Sequence, residues 1–80
     1  MPAKSVTVGS SVGLHARPAS IIAAAAAELG GGVTINGVDA GSALMLMTLG
    51  AKCGAVVEVA GEDLAAVETI AGLVEQDLDA

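Results

Sequence analysis

The feature that most limits what this chain can fold into is the absence of any phenylalanine, tyrosine or tryptophan among its 80 residues. Hydrophobic residues make up 54% of the sequence, but 17 of them are alanine, so 25 valine, isoleucine, leucine and methionine residues must fill the interior. A chain of this length supports one small core rather than two. We therefore expect a single domain over residues 1–80 with a light, aliphatic core.

The charge balance excludes several classes of partner. A net charge of −6 opposes binding to nucleic-acid phosphates and to anionic lipid, and no aromatic ring is available to stack on a base. The longest apolar run, residues 21–27, is far shorter than the roughly 20 residues that cross a bilayer. Cys53 has no second cysteine with which to pair, which favours a reducing compartment. We expect a cytoplasmic monomer that binds no nucleic acid and does not insert into membranes.

The first half of the chain contains four predicted elements. Residues 3–8 alternate between polar and apolar side chains, as a half-buried strand does. Residues 16–29 are rich in alanine and isoleucine and are followed by three glycines, which predicts a helix. Two short segments, 33–35 and 38–40, flank an Asn-Gly dipeptide, which is typical of a two-residue hairpin turn.

Three more elements are predicted in the second half. Residues 43–49 lie between Ser42, an N-cap type of residue, and Gly50, a C-cap type, and therefore predict a helix of about two turns. Residues 55–59 are rich in valine and predict a strand. A final helix is indicated by an apolar stripe at spacings of three and four, formed by Leu64, Val67, Ala71, Val74 and Leu78.

The predicted order is thus β-α-β-β-α-β-α. Four strands and three helices in so short a chain favour a two-layer α+β domain, in which a four-stranded antiparallel sheet carries the three helices on one face.

His15 is the candidate for chemistry, because it lies between a glycine-containing loop and the start of the first predicted helix. The helix start presents free amide N–H groups and the positive end of the dipole, which stabilise an attached anion and disfavour the imidazolium form of the ring. Arg17 adds a planar cation that suits phosphate oxygens. Pro18 marks the helix start, and Arg17 is a better candidate for the N-cap than His15, since residues before proline avoid the helical region.

Other kinds of site fit this region less well. A histidine near a helix start can be no more than a polar cap beside a solvated arginine. Residues 1–27 contain no acidic residue to orient His15 as in a catalytic triad. One histidine and one cysteine are too few for a metal site, so no metal and no cofactor are expected.

Residues 13–19, GLHARPA, resemble the active-site signature of HPr, the histidine-containing phosphocarrier family of the bacterial phosphoenolpyruvate:sugar phosphotransferase system. Residues 42–50, SALMLMTLG, resemble the helix of the same family that begins at a regulatory serine. The predicted order of elements is also that of the family, an open-faced β-sandwich. The resemblance extends over essentially all 80 residues.

The resemblance implies a phosphocarrier and not an enzyme with turnover of its own. Enzyme I, charged by phosphoenolpyruvate, would pass a phosphoryl group to Nδ1 of His15, which would hand it to sugar-specific Enzyme IIA domains. The backbone amides of Ala16 and Arg17 and the side chain of Arg17 would hold the phosphoryl group.

The second predicted helix is the candidate docking surface for those partners. Its apolar residues cannot all face inward, so Leu44, Met47 and Thr48 are predicted to share an outer face, and methionine adapts to several partners. The inward positions are predicted to be Ala43, Leu46 and Leu49. An imperfectly amphipathic core helix is the alternative.

Ser42 is predicted to be the N-cap of this helix, and the resemblance adds a regulatory phosphorylation by an HPr serine kinase/phosphorylase. No chemistry is assigned to Cys53, which is predicted to be a small buried or loop residue. Two other functions remain open, a phosphocarrier of a nitrogen-regulatory or other non-sugar branch and a non-catalytic adaptor that acts through the Ser42 helix.

Overall fold

The strands and helices follow one another in the predicted order within residues 2–11 and 13–76, which are the residues that the computed structural model describes. Except at the end of the last helix, which was predicted to extend to Leu78, every boundary lies within two residues of its predicted position. The elements are β1 (Ala3–Thr7), α1 (Ala16–Glu28), β2 (Val33–Ile35), β3 (Val38–Asp39), α2 (Ala43–Thr48), β4 (Val56–Gly61) and α3 (Leu64–Glu75).

The four strands form an antiparallel sheet in the order β1-β4-β2-β3. In the middle of the sheet β4 pairs with both β1 and β2, so that Val6 lies opposite Val57 and Ile35 lies opposite Val59. These four side chains are buried. Register therefore follows the apolar pattern, because a shift of β4 by one residue would turn Val57 and Val59 toward solvent.

One face of the sheet is covered by helices and the other is open. Along β4 the side chains alternate: Val57 and Val59 are buried, whereas Val56 and Glu58 are exposed. The helices pack over the buried face, α3 against β1 and β4 and α1 against α2 and α3. The bulkiest fully buried side chains are aliphatic, as predicted, and include Ile22, Ile35, Leu46, Val59, Val67 and Ile70. Pro18 and the polar Ser10 are buried beside them. In the described part of the chain, no helix is both long and apolar enough to cross a membrane.

The turn between β2 and β3 confirms the Asn-Gly hairpin. Asn36 and Gly37 have φ angles of 50° and 84°, the pair of positive values that a two-residue turn of this kind requires. The Asn36 side chain also accepts a hydrogen bond from the backbone N–H of Glu58, at 2.8 Å, and so ties the turn to β4.

The predicted apolar face of the last helix is wrong at its start. Leu64 is 56% exposed and Leu78 lies outside the described residues, whereas Ala66 and Ile70 are buried. The middle of the stripe faces the core as predicted: Val67, Ala71 and Val74. The helix carries apolar residues on more than one face, and close packing on β1 and β4 selects the face that includes a small alanine.

Asp63 caps the start of α3, because its Oδ1 accepts a hydrogen bond from the backbone N–H of Ala65 at 3.0 Å. We predict that Asp63→Ala lowers the free energy of unfolding by about 1 kcal/mol, since it leaves that N–H without its cap. Urea denaturation measures the change. Asp63→Asn keeps the capping oxygen and should lose less; an alanine variant as stable as the wild type would mean that the cap contributes nothing.

Candidate functional site

The antiparallel pairing of β1 with β4 brings two distant loops together. Thr7, at the end of β1, lies opposite Val56, at the start of β4, so the chain that leaves β1 runs beside the chain that enters β4. Backbone hydrogen bonds continue past the strands, since Val8 donates to the carbonyl of Ala55 at 2.8 Å and Gly54 donates to that of Val8 at 2.9 Å. Backbone hydrogen bonds therefore hold the loop that precedes α1 against the loop that precedes β4.

Gly13 allows the two loops to touch directly before His15. It has a φ of +75°, and a Cβ placed on it would lie 2.4 Å from the carbonyl oxygen of Ala51, so a side chain has no room. The next residue, Leu14, is buried and donates its backbone N–H to the same carbonyl at 2.9 Å. The backbone position of the residues leading into α1 is thereby set by residues almost 40 positions further along the chain.

His15 is the N-cap of α1, and Arg17 is not, which corrects the prediction. His15 has extended backbone angles, and its carbonyl accepts the first helical hydrogen bond, from Ala19 at 2.9 Å. The helix thus begins at Ala16 and Pro18 is its third residue rather than its first. Proline is tolerated there because the amides of the first turn have no partner inside the helix, and the buried Pro18 ring packs in the interior.

The imidazole of His15 is exposed and makes no capping hydrogen bond to the helix. Behind it, the amides of Ala16 and Arg17 occupy the first two helical positions, where N–H groups have no acceptor within the helix. These donors and the dipole of the 13-residue helix favour a negative charge at this end. The arrangement suits a group that becomes negatively charged on His15, and the exposed side chain of Arg17 lies in the same turn.

His15 lines an open cleft of about 490 Å³ between the two loops and the end of α2. Of the described residues around it, none is acidic and Lys52 is the one lysine or arginine. The lining comprises Ser11, Leu14, His15, Met47, Gly50, Ala51, Lys52 and Cys53. The sequence pattern had indicated His15 and Met47 but not Ser11, Lys52 or Cys53. Cys53 is exposed and lies in a loop, which was one of the two predicted alternatives.

The faces of α2 are arranged as predicted. Leu46 is fully buried, and Ala43 and Leu49 pack partly buried against the core. On the outer side Leu44 is 68% and Met47 37% exposed. The outward residues also include Met45 and Thr48. Because Met47 also lines the cleft, this outer face of α2 is continuous with the surroundings of His15.

Ser42 is the N-cap of α2, which confirms that prediction. Its Oγ accepts a hydrogen bond from the backbone N–H of Met45 at 3.3 Å. Ser42 is half-buried, and it lies at the end of α2 opposite to the end that approaches the cleft. A charge added to Ser42 would therefore lie at the edge of the outer face of α2 and not in the cleft.

Comparisons with known proteins agree on one family. The family model described as PTS-HPr, the PTS HPr component phosphorylation site, matches residues 2–76. The phosphocarrier protein HPr of Streptomyces coelicolor is 40% identical to this chain over 87 aligned positions, which cover 99% of this chain and 94% of the relative.

Solved structures agree with the sequence matches. The crystal structure of HPr-C-His from Thermoanaerobacter tengcongensis superposes with a TM-score of 0.88 at 25% identity, over 100% of this chain and 98% of the other. The crystal structure of a phosphocarrier protein HPr from Bacillus anthracis superposes with a TM-score of 0.77 at 29% identity, over 91% and 95% of the two chains. The open sheet with three helices is therefore shared with these proteins.

Proposed function

Because this chain belongs to the HPr family, the phosphocarrier component of the phosphotransferase system (PTS), we propose that His15 accepts a phosphoryl group from phosphorylated Enzyme I and passes it to Enzyme IIA domains for sugar uptake. The lone pair of Nδ1 forms the new bond to phosphorus while the bond from phosphorus to the donor atom breaks, and the donor keeps the bonding pair. The same exchange in reverse frees His15 at the acceptor, so the chain is a carrier with a covalent intermediate.

The observation that carries this proposal is the position of His15. Its ring makes no capping hydrogen bond, is exposed at an open cleft and stands at the positive end of α1. Phosphoryl transfer needs little beyond alignment and stabilisation of charge. An exposed nucleophile at a helix N-terminus meets both needs and leaves room for a partner to approach.

Arg17 would assist as a mobile cation. Its side chain is exposed in the first turn of α1, and its guanidinium can pair with two phosphoryl oxygens at once. The amides of Ala16 and Arg17 would supply the fixed donors, and Pro18 would keep this turn rigid. The phosphoryl group would thus be held loosely enough to be passed on.

The outer face of α2 would dock both partners. Leu44, Met47 and Thr48 are exposed there, and Met47 also borders the cleft, so a protein that reaches His15 meets this face at the same time. Flexible methionine side chains suit a surface that must accept different partners in turn.

Intact-mass spectrometry tests the proposal. We expect incubation with phosphoenolpyruvate and Enzyme I to add one acid-labile phosphoryl group, and subsequent addition of a sugar-specific Enzyme IIA to move that group to the acceptor. If this protein is phosphorylated but delivers the phosphoryl group only to an Enzyme IIA of a nitrogen-regulatory branch, it belongs to that branch instead. If it stays unphosphorylated in the presence of phosphorylated Enzyme I, the carrier role is refuted.

We further propose that Ser42 is a regulatory phosphorylation site, used by an HPr serine kinase/phosphorylase where one is present. Ser42→Asp should fold normally, since aspartate also caps helices, but should slow transfer from Enzyme I by about tenfold, or about 1.4 kcal/mol, because it adds a negative charge beside the docking face. Ser42→Asn is the matched neutral cap. Equal transfer rates for the two variants would show that charge at this position does not regulate docking.

A further inference from the structure

Positive charge is scarce in this protein and two of its three cationic residues lie near His15. The sequence has nine acidic residues and three cations, Lys4, Arg17 and Lys52. Arg17 follows His15 in α1, whereas Lys52 reaches the same place from the loop before β4. Lys4 lies on β1 and does not line the cleft. The cleft therefore has a cation whose presence the motif around His15 does not account for.

The backbone of Lys52 is held firmly against the segment that precedes His15. Its carbonyl accepts a hydrogen bond from Ala55 at 2.9 Å, and the carbonyl of the preceding Ala51 accepts one from Leu14 at 2.9 Å. A Cβ placed on Gly13 would lie only 2.8 Å from the Lys52 Cα, so the two backbones are in direct contact. The lysine side chain thus starts from a fixed point beside His15.

From this placement we infer that the Lys52 ammonium group binds the phosphoryl group carried by His15, opposing its charge from the second loop while the α1 amides and Arg17 do so from the first. This inference rests on the proposed function of His15. A phosphoryl group brings close to two negative charges into a cleft that has no acidic residue among its described lining residues. A lysine is a compact cation on a long flexible stem that can follow the phosphoryl group.

The effect should be moderate because Lys52 is exposed and water screens its charge. We expect Lys52→Gln to lower the rate of phosphoryl transfer from Enzyme I by about three- to fivefold, which is the upper part of the range for a solvent-exposed ion pair. The difference should shrink in high salt.

A readout without any partner protein separates binding of the phosphoryl group from docking. Phosphoramidate can phosphorylate His15 directly, because the ring nitrogen displaces ammonia from phosphorus. The chain has no other histidine that could react in this way. The ³¹P chemical shift of the product, followed against pH, reports the second ionisation of the phosphoryl group. A nearby cation favours the dianion, so Lys52→Gln should move the midpoint to higher pH.

Two variants control for charge and shape. Lys4→Gln makes the same change in net charge away from the cleft and should leave both the midpoint and the transfer rate unchanged. Lys52→Arg keeps the cation and should restore both toward the wild-type values. Together they distinguish a local contact from the overall charge of the protein.

An unchanged ³¹P midpoint in Lys52→Gln would overturn the inference, even if transfer slowed, because the lysine would then act on the partner. An equal shift in Lys4→Gln would also overturn it. The proposed function is tested independently of this inference. If Enzyme I does not phosphorylate the wild-type protein, the proposed function is wrong, but the protein phosphorylated with phosphoramidate still shows whether Lys52 contacts the phosphoryl group.

Discussion

Replacing His15 with alanine is expected to abolish phosphoryl transfer through this protein, to below the detection limit of intact-mass spectrometry. The chain has no second histidine to accept the group, and the helix end can stabilise an anion but cannot form the covalent bond. The measurement is the mass of the protein after incubation with phosphoenolpyruvate and Enzyme I, beside wild-type protein treated identically.

The loss should be chemical rather than structural. The His15 ring is exposed and makes no capping hydrogen bond, so the variant should unfold at the same urea concentration as the wild type. Cys53→Ala is the matched control, since it removes the exposed thiol of the cleft and should leave phosphorylation intact. A phosphoryl group that survives in His15→Ala and disappears in Cys53→Ala would reverse the assignment.

The same variant decides between a carrier and an adaptor. An adaptor that works only by contact would keep its partners when His15 is replaced, provided that the outer face of α2 is intact. Leu44→Ala removes an exposed side chain of that face and leaves the cleft unchanged. If His15→Ala preserved partner binding and Leu44→Ala abolished it, the adaptor function would be the correct one.

The second large effect is expected at Gly13, where Gly13→Ala should lower the free energy of unfolding by roughly 2–5 kcal/mol. The positive φ of +75° costs about 1–2 kcal/mol for a residue with a Cβ. Crowding adds about 1–3 kcal/mol, because that Cβ would lie 2.4 Å from the carbonyl oxygen of Ala51 and force the loops apart. Denaturation in urea measures the total.

Gly50→Ala separates the two contributions. Gly50 also lines the cleft and has a φ of +65°, but a Cβ placed on it meets no atom within 4 Å. It should therefore show the conformational cost of about 1–2 kcal/mol alone. Separation of the loops in Gly13→Ala should also slow phosphoryl transfer, because His15 and Lys52 move relative to each other. Equal stabilities of the two variants would mean that the contact at Gly13 relaxes freely.

The sequence predicted local structure well where a single local cause dominates. The Asn36-Gly37 turn follows from the positive φ that these residues accept, and the Ser42 cap follows from one side-chain oxygen at a helix start. The rule that residues before proline avoid helical angles misplaced the cap of α1, because the rule is a preference and packing of the buried Pro18 ring outweighs it. For α3, periodicity allowed more than one apolar face, and contact with the sheet selected between them.

By itself, the sequence determined the order of the elements, the aliphatic core and the placement of His15 at the start of a helix. Each depends on neighbouring residues, through backbone preference, side-chain period or the dipole of one helix. Only the tertiary structure placed Lys52 and Cys53 at the same cleft as His15. That meeting depends on the pairing of β1 with β4, whose residues are about 50 positions apart, and on the close backbone contact of Gly13 with residues almost 40 positions away. Neither contact leaves a local pattern in the sequence.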